Sequence, residues 1–409
     1  MTAEPETIQQ RDAQSKRNLK IYMSAQVLDL HGLWIHRVAL GWLTWLETES
    51  EFWVGMIAFA QFFPVVVLGP LFGVLADRLD RRRSAIALNL AMTTVAVVMS
   101  VASFADLLDI WVILALSLLQ GIAAGAYSPI RMSLVANLLA RTHLARGIAI
   151  NSLAFNASRF LGPMFAGLII VNWGISWAFA INAISYFFML MALLAVRPLA
   201  RPTIGGENRQ VLDELIEGLR YALDHSLIRS LLLLAMAVAI FGRGVIEMFP
   251  AFADGVFAKG AVGLAWLTSA SGAGAVLAGL WLARPGRRPL RLVAALSSLV
   301  SGFLVVAFAF TQRFEFGLVL AACMGSCFTF FGISVQSLLQ AHVDESFRGR
   351  VSSFWGVFGI GGSALGAFFL GALAPNLGLG WVCVGSGAVC LSLCYSTSTN
   401  LLRGRGLDR

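Results

Sequence analysis

The sequence predicts an all-α membrane protein with twelve membrane-spanning helices arranged as two parallel six-helix repeats. The first indication is composition, since the 409 residues are 58% hydrophobic and only 13% charged, whereas soluble domains carry about 25% charged residues. The second is a series of twelve apolar runs, and the third is a set of residues that recur about 206 positions apart. A soluble enzyme is excluded by the first observation alone, because so few charged residues cannot cover a water-exposed surface.

The twelve predicted spans are apolar runs bounded by charged residues, Gly or Pro. Each run supplies the roughly 20 residues that a helix needs to cross the hydrocarbon core. A polar, basic segment precedes the first run and no cleavage site follows it, so we expect an uncleaved first span. The predicted spans are 21–45, 53–76, 84–105, 110–137, 147–171, 176–196, 229–250, 263–283, 290–310, 316–340, 351–373 and 380–402.

Lys and Arg residues are distributed unevenly between the two predicted faces of the membrane. With the amino terminus placed in the cytoplasm, 24 of the 30 Lys and Arg residues fall in inner segments and 4 fall within spans. Only Lys259 and Arg313 fall in outer loops. Because positive residues accumulate in cytoplasmic loops, we predict that both termini are cytoplasmic.

The repeat divides the chain into two bundles joined by one long connector. Since six spans separate equivalent residues, both halves enter the membrane in the same sense. We therefore predict an amino-terminal bundle over 1–196, a linker over 197–228 and a carboxyl-terminal bundle over 229–409. Within the linker, apolar residues at helical spacing predict an amphipathic helix on the inner membrane face. Those residues are Leu212, Leu215, Ile216, Leu219 and Leu223.

The loop after the second span carries the most specific motif of the chain, Gly-Val-Leu-Ala-Asp-Arg-Leu-Asp-Arg-Arg-Arg at 73–83. It resembles the G-x-L-A-D-R-x-G-R-R loop of the major facilitator superfamily and occupies the position which that family requires. The resemblance implies the major facilitator fold and a loop that latches the inner gate. The matching gating residues are Gly73, Asp77, Arg78, Arg81 and Arg82.

Two further segments refine the resemblance. Gly162, Pro163 and Gly167 in the fifth span resemble an element of proton-driven exporters, and small residues at this spacing also let helices pack closely. Residues 32–43 and 250–254 are similar to the bacterial branch that contains the enterobactin exporter. The resemblance implies export of a small, often amphipathic molecule across a bacterial inner membrane.

Ionisable residues inside predicted spans mark the candidate site, because they are costly there unless they face partners or water. By depth, Asp29 and Arg131 form one layer, and Arg37, Arg243 and Glu247 form a second one in a central cavity. Glu247 follows Arg243 by four residues, so the two can pair on one helix face. Asp29 and Glu247 are the candidate proton carriers, and a purely structural role for these ion pairs is the alternative. The candidate cavity residues are Trp34, His36, Arg37, Arg131, Arg159 and Arg243.

The functional hypothesis is a proton-coupled secondary exporter that works by rocking of two bundles. A lipid or lysolipid flippase of the same fold is the alternative. The net charge of +8 comes from short loops, so we expect lipid headgroups rather than nucleic acid as neighbours. We expect no cofactor and no metal site, since three His or acidic ligands at metal spacing are not evident. The expected partners are the bilayer, protons and a small-molecule substrate, and we expect a monomer.

Overall fold

The computed structural model describes residues 8–78, 80–199, 211–284, 286 and 288–403, and these residues fold almost entirely as helices. In the first half, each predicted span corresponds to one helix, because apolar runs of this length must satisfy their backbone hydrogen bonds internally in lipid. These helices are α1 (Ile8–Thr48), α2 (Glu51–Arg78), α3 (Arg81–Phe104), α4 (Ile110–Leu138), α5 (Arg141–Trp173) and α6 (Ile175–Ala195).

The second half follows a shorter helix in the linker. That linker helix is α7 (Val211–Asp224). The seventh span is divided into α8 (Ser226–Ala237), a π-helical segment π1 (Val238–Arg243), α9 (Gly244–Glu247), α10 (Phe249–Ala251) and a second π-helical segment π2 (Phe252–Val256). The remaining helices are α11 (Gly260–Ala283), α12 (Leu290–Phe310), α13 (Phe314–His342), α14 (Arg348–Leu377) and α15 (Leu379–Arg403).

Eleven of the described helical segments are long and apolar enough to cross a membrane. Helix α1 is not among them, although it is 41 residues long. Its central turns carry Asp29, His31, His36 and Arg37, which lower its hydropathy. Nevertheless α1 packs against α5 and α6, so it occupies the place of the predicted first span by packing rather than by composition.

The contact pattern of the helices repeats between the two halves. In the first half, α2 packs on α4, and α3 packs on both α4 and α6. The equivalent pairs in the second half are α11 with α13, and α12 with both α13 and α15. The two most extensive contacts between the halves are those of α2 with α14 and of α5 with α11. The repeat relates α2 to α11 and α5 to α14, so each of these contacts is the equivalent of the other. This is expected for parallel repeats related by an axis along the membrane normal.

The linker helix α7 presents apolar side chains outward. Ile216, Leu219 and Leu223 are exposed, whereas Gly218 and Ala222 are buried. Glu217 forms a 2.9 Å ion pair with Arg350 at the start of α14. This arrangement suits a helix with one face on the protein and another on a lipid surface.

Candidate functional site

Helix α1 separates the candidate residues onto two faces. Because each residue of an α-helix advances by about 100°, Trp34, Arg37 and Gly41 share one face. Asp29, Gly32 and His36 share another. The first face lines a cavity between the two halves, while Gly32 lies against Ser185 and Asn182 of α6.

The cavity on the first face has a volume of about 70 Å³. Its walls combine aromatic, charged, polar and apolar side chains from both halves of the chain. Sites for drug-sized ligands enclose about 300–1,000 Å³, so this cavity must widen before a molecule of that size enters. The lining residues include Trp34, Arg37, Val54, Ile57, Gln61 and Glu247.

An ion pair crosses the cavity from one half to the other. Arg37 Nη2 donates to Glu247 Oε1 at 2.9 Å, and both side chains are about a quarter exposed. Closer to the predicted outer side, Trp45 Nε1 donates to Asp254 Oδ2 at 3.0 Å. Two polar contacts between α1 and the seventh span therefore join the two halves at and beyond the cavity.

The predicted pairing of Glu247 with Arg243 differs from the structure, in which Glu247 pairs with Arg37. Arg243 ends the π-helical segment π1, and Glu247 ends α9. A π-helical turn contains more residues than an α-helical turn, so simple i,i+4 spacing does not set the directions of side chains here. Arg243 still lies close enough to Glu247 and Arg37 to interact with both electrostatically.

Two arginines lie over the indole of Trp34, and a third, Arg243, lies near both of them. The Arg37 guanidinium carbon lies 4.7 Å from the centroid of the Trp34 ring, and that of Arg159 lies 5.8 Å from it. Arg159 from α5 also interacts electrostatically with Arg243 and Arg37. The structure thus brings together four of the predicted cavity residues, from α1, α5 and the seventh span.

Asp29 lies in a different environment, inside the first six helices. Arg131 Nη1 of α4 donates to Gln26 Oε1 at 3.2 Å, and Gln26 Nε2 donates to Asp29 Oδ2 at 3.5 Å. Tyr22 and Tyr127 lie close enough to Arg131 to interact electrostatically. The expectation of two charged layers in one central cavity is therefore wrong, since rotation about α1 directs Asp29 away from the cavity face.

His36 also differs from its predicted place in the cavity. It is buried, and its ring contacts Phe179 of α6 edge to face with centroids 5.4 Å apart. Neither ring nitrogen has a hydrogen-bond partner among the described residues. The physical reason is again helical phase, because position 36 lies about 200° around α1 from Trp34.

The small residues of α5 lie at two close helix contacts. A Cβ atom at Gly162 would lie 2.5 Å from Trp34 Cβ. A Cβ atom at Gly167 would lie 2.5 Å from Ala265 Cβ of α11, at a contact between the halves. Pro163 lies inside α5.

The gating loop is only partly described. For Gly73, Asp77 and Arg78 the structure describes the helical backbone but not the side chains. The gating contacts predicted for these residues therefore lie outside the described part of the chain. Arg81 begins α3. The guanidinium of Arg82 donates to the Leu193 and Leu194 carbonyls at 3.1 and 2.6 Å, which satisfies free carbonyls at the end of α6.

Sequence reasoning missed several polar residues of the site. Gln26, Tyr22 and Tyr127 surround the Asp29 and Arg131 pair, and Gln61 lines the cavity. Their signal in the sequence was weak, because a single uncharged polar residue lowers the mean hydropathy of an apolar run only slightly. Asp254 was noted only within a family-like segment, because its hydrogen bond with Trp45 could not be recognised without the fold.

A family model described as transmembrane secretion effector matches residues 15–403. Among curated proteins, the chain is 26% identical to the uncharacterized MFS-type transporter YfiS of Bacillus subtilis, over 82% of both chains. It is 23% identical to macrolide efflux protein A of Streptococcus pyogenes, over 76% of this chain and 78% of that one.

Solved structures of transporters match the whole fold, among them that of a bacterial protein. A bacterial homologue of the human lysosomal transporter Spinster, in an inward-facing and unoccupied conformation, superimposes with a TM-score of 0.72 at 16% identity. The match covers 100% of both chains. At this identity the likeness concerns the fold, and it includes α1 in the place of the first span.

Proposed function

The chain belongs to the transmembrane secretion effector family of major facilitator transporters, and we propose that it is a proton-coupled exporter of a small amphipathic molecule. The observation that carries this proposal is the cavity between the halves, whose walls join Arg37 and Glu247 to Trp34 and apolar residues. Such a mixed lining suits a siderophore-like or drug-like compound. The relative named as a macrolide efflux protein supports the same direction of transport.

Alternating access supplies the mechanism. The contacts of α2 with α14 and of α5 with α11 form the seams along which the two bundles would rock. Breaking the Arg37–Glu247 and Trp45–Asp254 contacts would open the outer side. In the proposed setting the protein is a monomer in a bacterial inner membrane, with both termini in the cytoplasm.

Proton coupling requires a carboxyl group that meets different partners in the two states. Asp29 fits this requirement, because it is 7% exposed and its Oδ1 has no hydrogen-bond partner among the described residues. Glu247, in contrast, forms a 2.9 Å ion pair with Arg37. We therefore assign the coupling proton to Asp29 rather than to Glu247.

The test uses proteoliposomes with an acidic lumen and three tritiated probes of permanent charge state. The probes are 1-naphthalenesulfonate, trimethyl(1-naphthyl)ammonium and methyl 1-naphthyl sulfone. We expect at least one probe to accumulate in the lumen while protons leave, as measured by trapped pyranine. Protein-free liposomes are the control.

The Asp29→Asn variant should lose gradient-driven accumulation and keep probe exchange without a gradient. Glu247→Gln should keep gradient-driven accumulation. Full gradient-driven accumulation in Asp29→Asn would refute the assignment of the proton. Transbilayer movement of a fluorescent phospholipid, with no movement of any probe, would favour the flippase alternative instead.

A further inference from the structure

We propose that the transported molecule is an amphipathic anion whose charged group binds Arg37, Arg159 and Arg243 and whose ring or chain packs on Trp34. This inference deepens the proposed function and rests on it. It concerns the sign of the charge that the cavity accepts. The chemical class is that of organic carboxylates, sulfonates and phosphates attached to an apolar body.

The charge balance of the site is the first argument. The guanidinium groups of Arg37 and Arg159 lie over Trp34, and that of Arg243 lies near them. Glu247 is the only carboxylate of the described residues within salt-bridge distance of any of the three. Asp254, the next acid along the same span, is hydrogen-bonded to Trp45 instead. The cluster therefore carries about two uncompensated positive charges, which favour an anion over a cation.

The second argument concerns exposure, since of the three arginines of the cluster only Arg243 is exposed. Arg243 is an exposed residue at the end of π1, although it lies in the middle of a membrane span. No described carboxylate lies within 4.0 Å of Arg159 or Arg243. An arginine inside the membrane without an anionic partner is costly, so the cluster is suited to receiving an anion from the cavity.

The shape of the donors is the third argument. Guanidinium groups are planar and bind carboxylate, sulfonate or phosphate oxygens through two parallel hydrogen bonds. The Trp34 ring and the side chains of Val54 and Ile57 supply an adjoining apolar wall. The two surfaces together fit a molecule with a charged head and an apolar body.

The sign of the charge also decides which acid couples transport to protons. A proton on Glu247 would remove its negative charge, so an anion would bind the arginines more tightly. Proton and substrate would then bind together at this site, whereas an exchanger needs them to bind alternately. Asp29 faces away from the cluster across α1, so its proton does not strengthen substrate binding in this way.

Equilibrium binding of the three naphthyl probes to the purified full-length protein tests the inference. We expect the sulfonate to bind at least about tenfold more tightly than the ammonium probe. Arg159→Gln and Arg243→Gln should each weaken sulfonate binding about tenfold, while Arg159→Lys, which keeps the charge, should lose less. The matched control is Arg313→Gln, since Arg313 is exposed in the predicted outer loop and should not affect binding.

Binding of the neutral sulfone reports whether a variant still has an intact cavity. Unchanged sulfone binding with weakened sulfonate binding supports the inference. Tighter binding of the ammonium probe, absence of sulfonate binding, or unchanged sulfonate binding in both glutamine variants would overturn it.

The two proposals fail separately. If the ammonium probe binds best and accumulates against the proton gradient, the exporter stands and the anion site is wrong. If the sulfonate binds as expected but no probe accumulates, the anion site stands and the exporter proposal fails.

Discussion

At the scale of single residues, the amino-terminal ends of α1 and α5 are joined by a small charged cluster. Asp12 accepts from Lys16 at 2.8 Å within α1 and contacts His143 Nε2 of α5 at 2.8 Å. Further along α1, Asn18 Nδ2 donates to the carbonyls of Leu138 and Arg197 at 2.9 and 2.7 Å. These contacts hold α1 against the end of α4, the beginning of α5 and the segment that follows α6.

Asp12 makes thermal stability depend on pH. Hydrogen bonds from Lys16 and His143 hold the pKa of Asp12 below its ordinary value of 3.8. A lowered pKa in the folded state means that the stabilising contribution is present above pH 3.8 and is lost as pH falls through the lowered value. Asp12→Asn should therefore reduce Tm in detergent at pH 7, and by a smaller amount at pH 3, which lies below the ordinary pKa.

Glu47→Gln is the matched control, because Glu47 is an exposed acid on the same helix. It should leave Tm unchanged at both pH values. An equal loss of Tm in Asp12→Asn at pH 7 and pH 3 would show that the carboxylate charge is not the cause.

The identities of the candidate residues could be predicted from the sequence, but their partners could not. Ionisable residues stand out inside apolar runs, so Asp29, Arg37 and Glu247 were recognisable from the hydropathy pattern alone. Their partners depend on rotation about each helix and on the π-helical turn at Val238–Arg243. Neither quantity can be read from residue spacing.

At the scale of helices, the seams between the halves depend on small side chains. Gly167 of α5 and Ala265 of α11 meet so closely that a Cβ atom at position 167 would lie 2.5 Å from Ala265 Cβ. Real Cβ atoms do not approach so closely, so any side chain at 167 would force α5 and α11 apart. Sequence spacing indicated a packing role for Gly167, whereas its partner helix became evident only from the fold.

Exchanging the two side chains tests this seam. Gly167→Ala should reduce Tm and transport, because overpacking typically costs about 1–3 kcal/mol. The double variant Gly167→Ala with Ala265→Gly should recover most of both, since it restores the summed volume at the contact.

Gly279→Ala is the control on the same helix as Ala265, because no atom lies within 4 Å of a Cβ placed there. It should behave like the native protein. Failure of the double variant to improve on Gly167→Ala would indicate that the residues act independently.

At the scale of the whole molecule, the fold was accessible from the sequence because lipid limits the choices. Hydropathy located the spans, and the repeat indicated two bundles of the same orientation. Helix α1 gave the weakest of these signals, since its polar residues keep its hydropathy below that of the eleven other spans. One of these residues, Arg37, lines the cavity, so a residue of the candidate site also weakens the hydropathy signal of this helix.

The predicted orientation can be tested by labelling. In a variant with its native cysteines replaced by Ser, single cysteines at Asp106 and Asn376 should react with an impermeant maleimide added to intact cells. A cysteine at Arg83 should react only after the cells are permeabilised, because 24 of the 30 Lys and Arg residues place that loop inside. The reverse pattern would contradict cytoplasmic termini.

Exchange of an anion for a proton, as proposed for the arginine cluster, would make transport depend on the membrane voltage. If a monovalent anion leaves the cell as one proton enters, each cycle moves two elementary charges across the membrane. Two charges correspond to about 4.6 kcal/mol per 100 mV, so the resting potential of a cell would drive export without any pH difference. In proteoliposomes at equal pH, a lumen-positive potassium diffusion potential set by valinomycin should drive 1-naphthalenesulfonate inward, and reversing the potential should drive it outward.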